Sequence, residues 1–119
     1  MKEQDKWEAL RAQELDLDDQ LARTERERYR TQELALDWQA YIPQAKETNQ
    51  ELLLAYQGSD QAQRIELTIR ELEGYSLKIE DNYESLIQAY RKKENRLLDD
   101  LEAIARQKRK LGQEEKKSW

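Results

Sequence analysis

The sequence contains neither cysteine nor histidine. The first absence removes disulfides and thiolate chemistry, and with them any clue to redox compartment. Both together remove the usual zinc ligands, imidazole acid–base catalysis and Ser-His-Asp or Cys-His nucleophiles. No glycine-rich phosphate loop is present. The longest apolar run, Leu52 to Tyr56, is far short of the roughly 20 residues that cross a bilayer, and the opening MKEQDKWEAL has no signal-peptide core. The expectation is a protein that is not an enzyme, has no metal or cofactor, is made soluble in the cytoplasm and does not insert into a membrane.

Breakers are also scarce. One proline and three glycines serve 119 residues, phenylalanine and valine do not occur, and Ala, Leu, Glu, Gln, Lys and Arg dominate. Helix is favoured nearly everywhere. With 37% hydrophobic and 39% charged residues, the chain has room for one domain but too little apolar material for a thick core. That mixture suits long helices joined along a narrow seam.

Steps of three and four from Trp7 reach Leu10, Glu14, Leu17, Leu21, Thr24, Arg28, Thr31, Ala35, Trp38, Ile42, Ala45, Asn49, Leu52 and Tyr56. A second register runs from Ile65 through Ile69, Leu72, Ser76, Ile79, Tyr83, Leu86, Tyr90, Lys93, Leu97, Asp100, Ile104 and Gln107 to Leu111. Between them, Gly58 suits the left-handed conformation that ends a helix, and Ser59 or Asp60 suits a cap for the next, with Gln63 at capping-box spacing from Asp60. The prediction is an all-α antiparallel two-helix hairpin, coiled-coil-like: helix over about 3–57, turn at 57–60, helix over about 60–113 and a short tail at 114–119. The domain spans 1–119.

With the fold point near residue 58, Pro43 lies level with Gly74. A proline removes a helical hydrogen bond and a mid-helix glycine loosens its helix, so a shared bend is expected there. The same register sets Thr24 near Lys93, and Glu14 near Asp100 and Ile104. Polar seam members of this kind fix register and partner choice, or mark where the arms open to water.

The net charge of −5 argues against general nucleic-acid affinity. The pairs Asp18-Asp19 and Asp99-Asp100 point about 100° apart on a helix and read as solvated charges. The basic run Arg106-Gln107-Lys108-Arg109-Lys110 complements a helix C-terminus and the acidic first turns of the opposite arm.

Several large apolar residues fall outside both registers: Leu34, Leu36, Tyr41, Leu53 and Leu54, then Leu67, Tyr75, Leu77, Ile87, Leu98 and Leu101. A pair of helices buries one stripe each, so this remainder implies a helix-on-helix partner surface. Trp38, Tyr41, Ile87, Leu98 and Leu101 are the candidate contacts. The partner is either a second copy, giving a homodimer, or a different helical protein.

The aromatic-x-Gly in the turn, Tyr56-Gln57-Gly58, resembles the Trp-x-Gly of the small WXG proteins of type VII secretion. The long arms and the second-half stretch YRKKENRLLDDLEAIARQKRKL look more like the LXG-toxin-associated α-helical proteins. That resemblance implies an accessory partner of the N-terminal helical domain of an LXG toxin, working with a second small helical protein to target the toxin to the secretion machine. It also implies an export signal of the form Tyr-x-x-x-Asp/Glu at Tyr90 and Glu94, and export of the chain with its partner. The same spacing occurs at Tyr29 with Glu33 and at Tyr56 with Asp60. An alternative is a coiled-coil stalk or export-gate component similar to the hairpin proteins of type III and flagellar secretion, which expects basic tips.

Overall fold

A computed structural model describes residues 2–117, with side chains as far as 114. Two helices account for almost all of it: α1 (Lys2–Ala55) and α2 (Asp60–Lys117). Among the described residues there is no strand. The all-α hairpin predicted from breaker scarcity is therefore what forms.

The reversal occurs at the predicted place. Among the described residues Gly58 alone has a left-handed backbone, φ +84°, and a Cβ there would meet no atom, so the need for glycine is conformational rather than steric. The N–H of Tyr56 donates to the carbonyl of Leu52 at 3.0 Å, and that of Ser59 to the carbonyl of Tyr56 at 3.0 Å. The cap differs from expectation. Ser59 turns its hydroxyl backward to donate to the Tyr56 carbonyl at 2.7 Å, and its own carbonyl accepts from Ala62 N–H at 3.1 Å. Its side chain thus closes the end of α1 instead of accepting from the start of α2.

Three boundary expectations change. The first helix ends at Ala55, two residues early, and the second continues to Lys117, so most of the expected tail is helical; Ser118 and Trp119 lie outside the described residues. Gly112 costs its helix about 1 kcal/mol, too little to stop a run of strong helix formers. Helix also continues unbroken through Pro43 and Gly74.

The pairing falls into two compact units. In the turn-bearing unit, Tyr29–Gln88, Ile42 and Thr31 are buried, and Ile65, Ile69, Leu72, Ile79 and Tyr83 are half-buried. The ammonium of Lys46 reaches the Glu73 carboxylate at 3.2 Å. In the terminal unit the first part of α1, up to Arg28, lies against α2 from Ala89 onward. Leu97, Ile104, Leu111 and Thr24 are buried there, with Leu10, Leu17, Leu21 and Leu101 half-buried.

Glu14 meets Lys108 at 2.7 Å rather than the region of Asp100 and Ile104, and Arg28 meets Glu94 at 2.7 Å, five positions beyond residue 89. Each helical side chain leans toward its own N-terminus. In an antiparallel pair the α1 side chains therefore lean away from the turn and the α2 side chains toward it. Contacts fall further along α2 than a straight crossing predicts.

The seam of α2 also departs from its predicted register. Both readings share Tyr83, Tyr90, Leu97, Ile104 and Leu111, but between them the protein buries or half-buries Ile87, Glu94, Leu101 and Lys108, and leaves Leu86, Lys93, Asp100 and Gln107 exposed. Two successive steps of four, Ile79 to Tyr83 to Ile87, reset the phase. A step of this kind locally unwinds a left-handed pair. Lys93 is consequently not a neighbour of Thr24 in the seam; the Thr24 hydroxyl donates instead to the carbonyl of Gln20 at 2.8 Å.

Candidate functional site

Among the described residues, twelve of the fifteen exposed large hydrophobic side chains belong to the turn-bearing unit. Six of the twelve fall on two heptad series, while Tyr29, Leu36, Leu54, Tyr56, Leu67 and Leu77 lie off them. On α1 the positions Thr31, Leu34, Trp38, Tyr41, Ala45, Thr48, Leu52 and Ala55 recur at alternating steps of three and four and contain no charge. On α2 the series Ile65, Thr68, Leu72, Tyr75, Ile79, Asn82 and Leu86 does the same. Each series takes in one edge of the seam and the flank beside it.

The Lys46–Glu73 ion pair shows how the flanks are arranged. It joins the opposite flank of each helix, the heptad positions that hold Gln32, Gln39, Lys46 and Leu53 on α1 and Glu66, Glu73 and Glu80 on α2. If those flanks share one side of the hairpin, the two uncharged series share the other. One flank thus carries the Lys46–Glu73 ion pair, and the uncharged series offer Leu34, Trp38, Tyr41, Leu52, Tyr75 and Leu86 to solvent.

Within that face Trp38 and Tyr41 make an edge-to-face pair, ring centroids 5.7 Å apart and planes at 87°. Three residues apart on one helix, the rings brace each other, which lowers the entropy lost when either is buried against another surface. Trp38 is 39% exposed and Tyr41 56%. Both were predicted contacts, and both lie on the uncharged flank.

The other candidates are distributed differently. Ile87 and Leu101 are half-buried in the seam of α2, as the shifted register requires, and so leave the partner surface. Leu98 remains exposed at 51%, in the terminal unit. Of the turn motif, Gly58 provides the reversal, and Tyr56 is exposed with its carbonyl occupied by Ser59. Of the export pair, Tyr90 is half-buried and Glu94 is engaged by Arg28, its side chain only 12% exposed. Leu34, Leu52, Tyr75 and Leu86 complete the face without having been named as contacts. The signal that finds them is the absence of charge from two matched series, not the presence of any one residue.

In the terminal unit, Lys108 combines its bond to Glu14 with a position 5.0 Å above the Trp7 ring. Lys6, Ala9 and Leu10 border a shallow groove with Lys110, Leu111 and Glu114. Among the described residues no group of three acidic side chains is disposed to hold a metal ion, and no helix is long and apolar enough to cross a membrane. Compared with protein-family models, curated proteins and solved structures, the chain matches none.

Proposed function

We propose that the protein is a non-enzymatic helical accessory protein that packs the uncharged flank of its turn-bearing unit against helices of another protein. The observation that carries this reading is the sorting of charge. Two helices hold fifteen flanking and seam positions with no charged side chain, while Lys46 and three glutamates occupy the opposite flanks. Exposed aromatic and aliphatic residues on a charge-free helical face are the composition of an interface core, and a helix-in-groove or helix-pair contact is the mode they suit. Trp38 and Tyr41 are the anchors, with Leu34 and Leu52 on either side along the helix.

The resemblance to LXG-associated proteins supplies the partner: the N-terminal helical domain of an LXG toxin, which the assembled pair presents to the type VII secretion machine. The chain then leaves the cell with its cargo, and Tyr90 and Glu94, held in the seam, serve as an export signal only where the terminal unit opens. The stalk or export-gate alternative expects basic tips, and the stretch Tyr56 to Asp60 at the turn contains no cation. Co-expression with the N-terminal domain of an LXG toxin encoded beside it tests the reading. Co-purification that is lost with Trp38→Glu is the expected result; failure of the wild-type chain to co-purify rejects it.

A further inference from the structure

Glycine alone does not end a helix in this chain. Gly74 and Gly112 both lie inside α2, which runs through them without interruption. Nor does packing hold the turn closed, since every residue from Leu54 to Gln61 is exposed. The backbone bonds there are local, from Tyr56 to Leu52, Ser59 to Tyr56 and Ala62 to Ser59. Moving the φ of Gly58 from +84° into the helical range would join α1 and α2 into one helix. Two such helices, antiparallel about a two-fold axis at the former turn, would set each α1 beside the α2 of the other chain. Exchange of identical elements in this way is a low-cost route to dimers. The buried stripes on either side of the turn oppose it.

Nearest the turn, the seam of α1 is marked by buried Ile42 and half-buried Asn49 and Leu53, and that of α2 by half-buried Ala62, Ile65 and Ile69. At about 100° per residue, a continuous helix sets the second group about 170° around from the first. The 3.5-residue period of a coiled coil still leaves the two groups about 140° apart. In an exchanged pair, one stripe would face the other chain and the second would face water. We propose that the turn is a phase break: the number of residues between the two stripes puts them on opposite sides of any continuous helix, so both can be buried only when the chain folds back on itself. Gly58 supplies the conformation of the reversal, and the spacing makes reversal the favoured pairing. Removing two residues turns the second stripe by about 200° and brings it within about 30° of the first; adding two does the same from the other side. The device decides which helices pair, whatever surface the closed hairpin then presents.

Three variants of the full chain separate phase from glycine. The first carries Gly58→Ala and Ser59→Ala together, which favours a continuous helix but leaves the stripes out of phase. The second lacks Gly58 and Ser59. The third has the two alanine substitutions and two further alanines inserted after position 59. Nitroxide labels at positions 46 and 73, which are in contact in the hairpin, report the pairing. Doubly labelled chain is mixed into an excess of unlabelled chain, so only distances within one chain are read and any other self-association leaves the result unchanged. The wild type and the same-length variant are expected to keep the short distance. The deletion and the insertion are expected to move it to about 40 Å, the rise of about 25–29 helical residues, with the mass of a dimer in sedimentation. A longer loop by itself would ease closure, so opening of the insertion variant cannot come from loop strain. Opening of either in-phase variant while the same-length variant stays closed supports the phase break. A same-length variant that opens as they do, or two in-phase variants that both stay closed, overturns it. Co-purification with the toxin domain plays no part in this reading, so failure of the targeting function leaves the result intact.

Discussion

Arg28 and Glu94 are bonded across the seam of the terminal unit, guanidinium Nε to carboxylate at 2.7 Å, with side chains only 20% and 12% exposed. The Glu14–Lys108 pair lies 14 residues away along each helix with the charges reversed between helices. The two pairs enclose Leu17, Leu21 and Thr24 on α1 and Leu97, Leu101 and Ile104 on α2. Such layers stabilise only modestly against an apolar replacement, but they oppose any pairing that sets like charges together.

Removing one member of the Arg28–Glu94 pair leaves the other partly buried without its counter-charge. Arg28→Ala and Glu94→Ala are each expected to lower unfolding free energy by about 2 kcal/mol, below the range for fully buried pairs because both groups retain some solvent. The double variant should lose less than the two singles added together, by about 1 kcal/mol. Urea denaturation followed by helical circular dichroism measures all three.

Thr24 is the most buried side chain described, at 2% exposure, and its hydroxyl donates only to the Gln20 carbonyl of its own helix. That carbonyl already accepts a helical hydrogen bond, so the hydroxyl's contribution is local. Thr24→Val exchanges it for a methyl group at the same buried position. The expected outcome is a gain of up to about 1 kcal/mol, seen as a raised melting temperature.

The alternation of three and four was legible from Leu10 to Ala35 and from Ile65 to Tyr83, because each step lands on an apolar or small residue often enough to define a stripe; Trp38, Leu52 and Tyr56, which it counts into the seam, are exposed, and Leu53, which it leaves out, is half-buried. Beyond Tyr83 the same rhythm selects Lys93, Asp100 and Gln107, three polar positions at intervals of seven. The protein takes the neighbouring set, Ile87, Glu94, Leu101 and Lys108, whose charges match Arg28 and Glu14. Complementarity between the helices, rather than periodicity within either, contained the correction. Trp38 and Tyr41 were legible as contacts because bulky rings sit beside the stripe. Ile87 and Leu101 were misassigned to the outer surface because their phase was counted one residue off.

Two glycines should respond to alanine with opposite sign. Gly58 holds φ at +84°, and Gly58→Ala is expected to cost about 1 kcal/mol from backbone conformation alone. Gly74 is helical with open space around its Cα, and Gly74→Ala is expected to add about 0.5–1 kcal/mol. Thermal melts of the two variants side by side provide the comparison.

Pro43 lies inside α1 on the exposed side, and its missing N–H leaves the Gln39 carbonyl without the usual helical donor. Pro43→Ala is expected to raise stability by about 1–2 kcal/mol, less than the full propensity difference of about 3 kcal/mol because the surrounding helix already accommodates the ring. Amide hydrogen exchange should slow most within one turn of residue 43. A uniform slowing along α1, with no local maximum, would show that the proline does not weaken the helix at that point.

The most direct measurement places one negative charge on either side of the turn-bearing unit and reads assembly. Tyr41→Glu lies on the uncharged flank, and Gln39→Glu on the flank of Lys46. Both positions are exposed, so the two variants should keep the helical circular dichroism of the wild type. Pull-down of the toxin domain is expected to show assembly abolished by Tyr41→Glu and retained by Gln39→Glu. Assembly of Tyr41→Glu with wild-type affinity would contradict the assignment of this face as the binding surface.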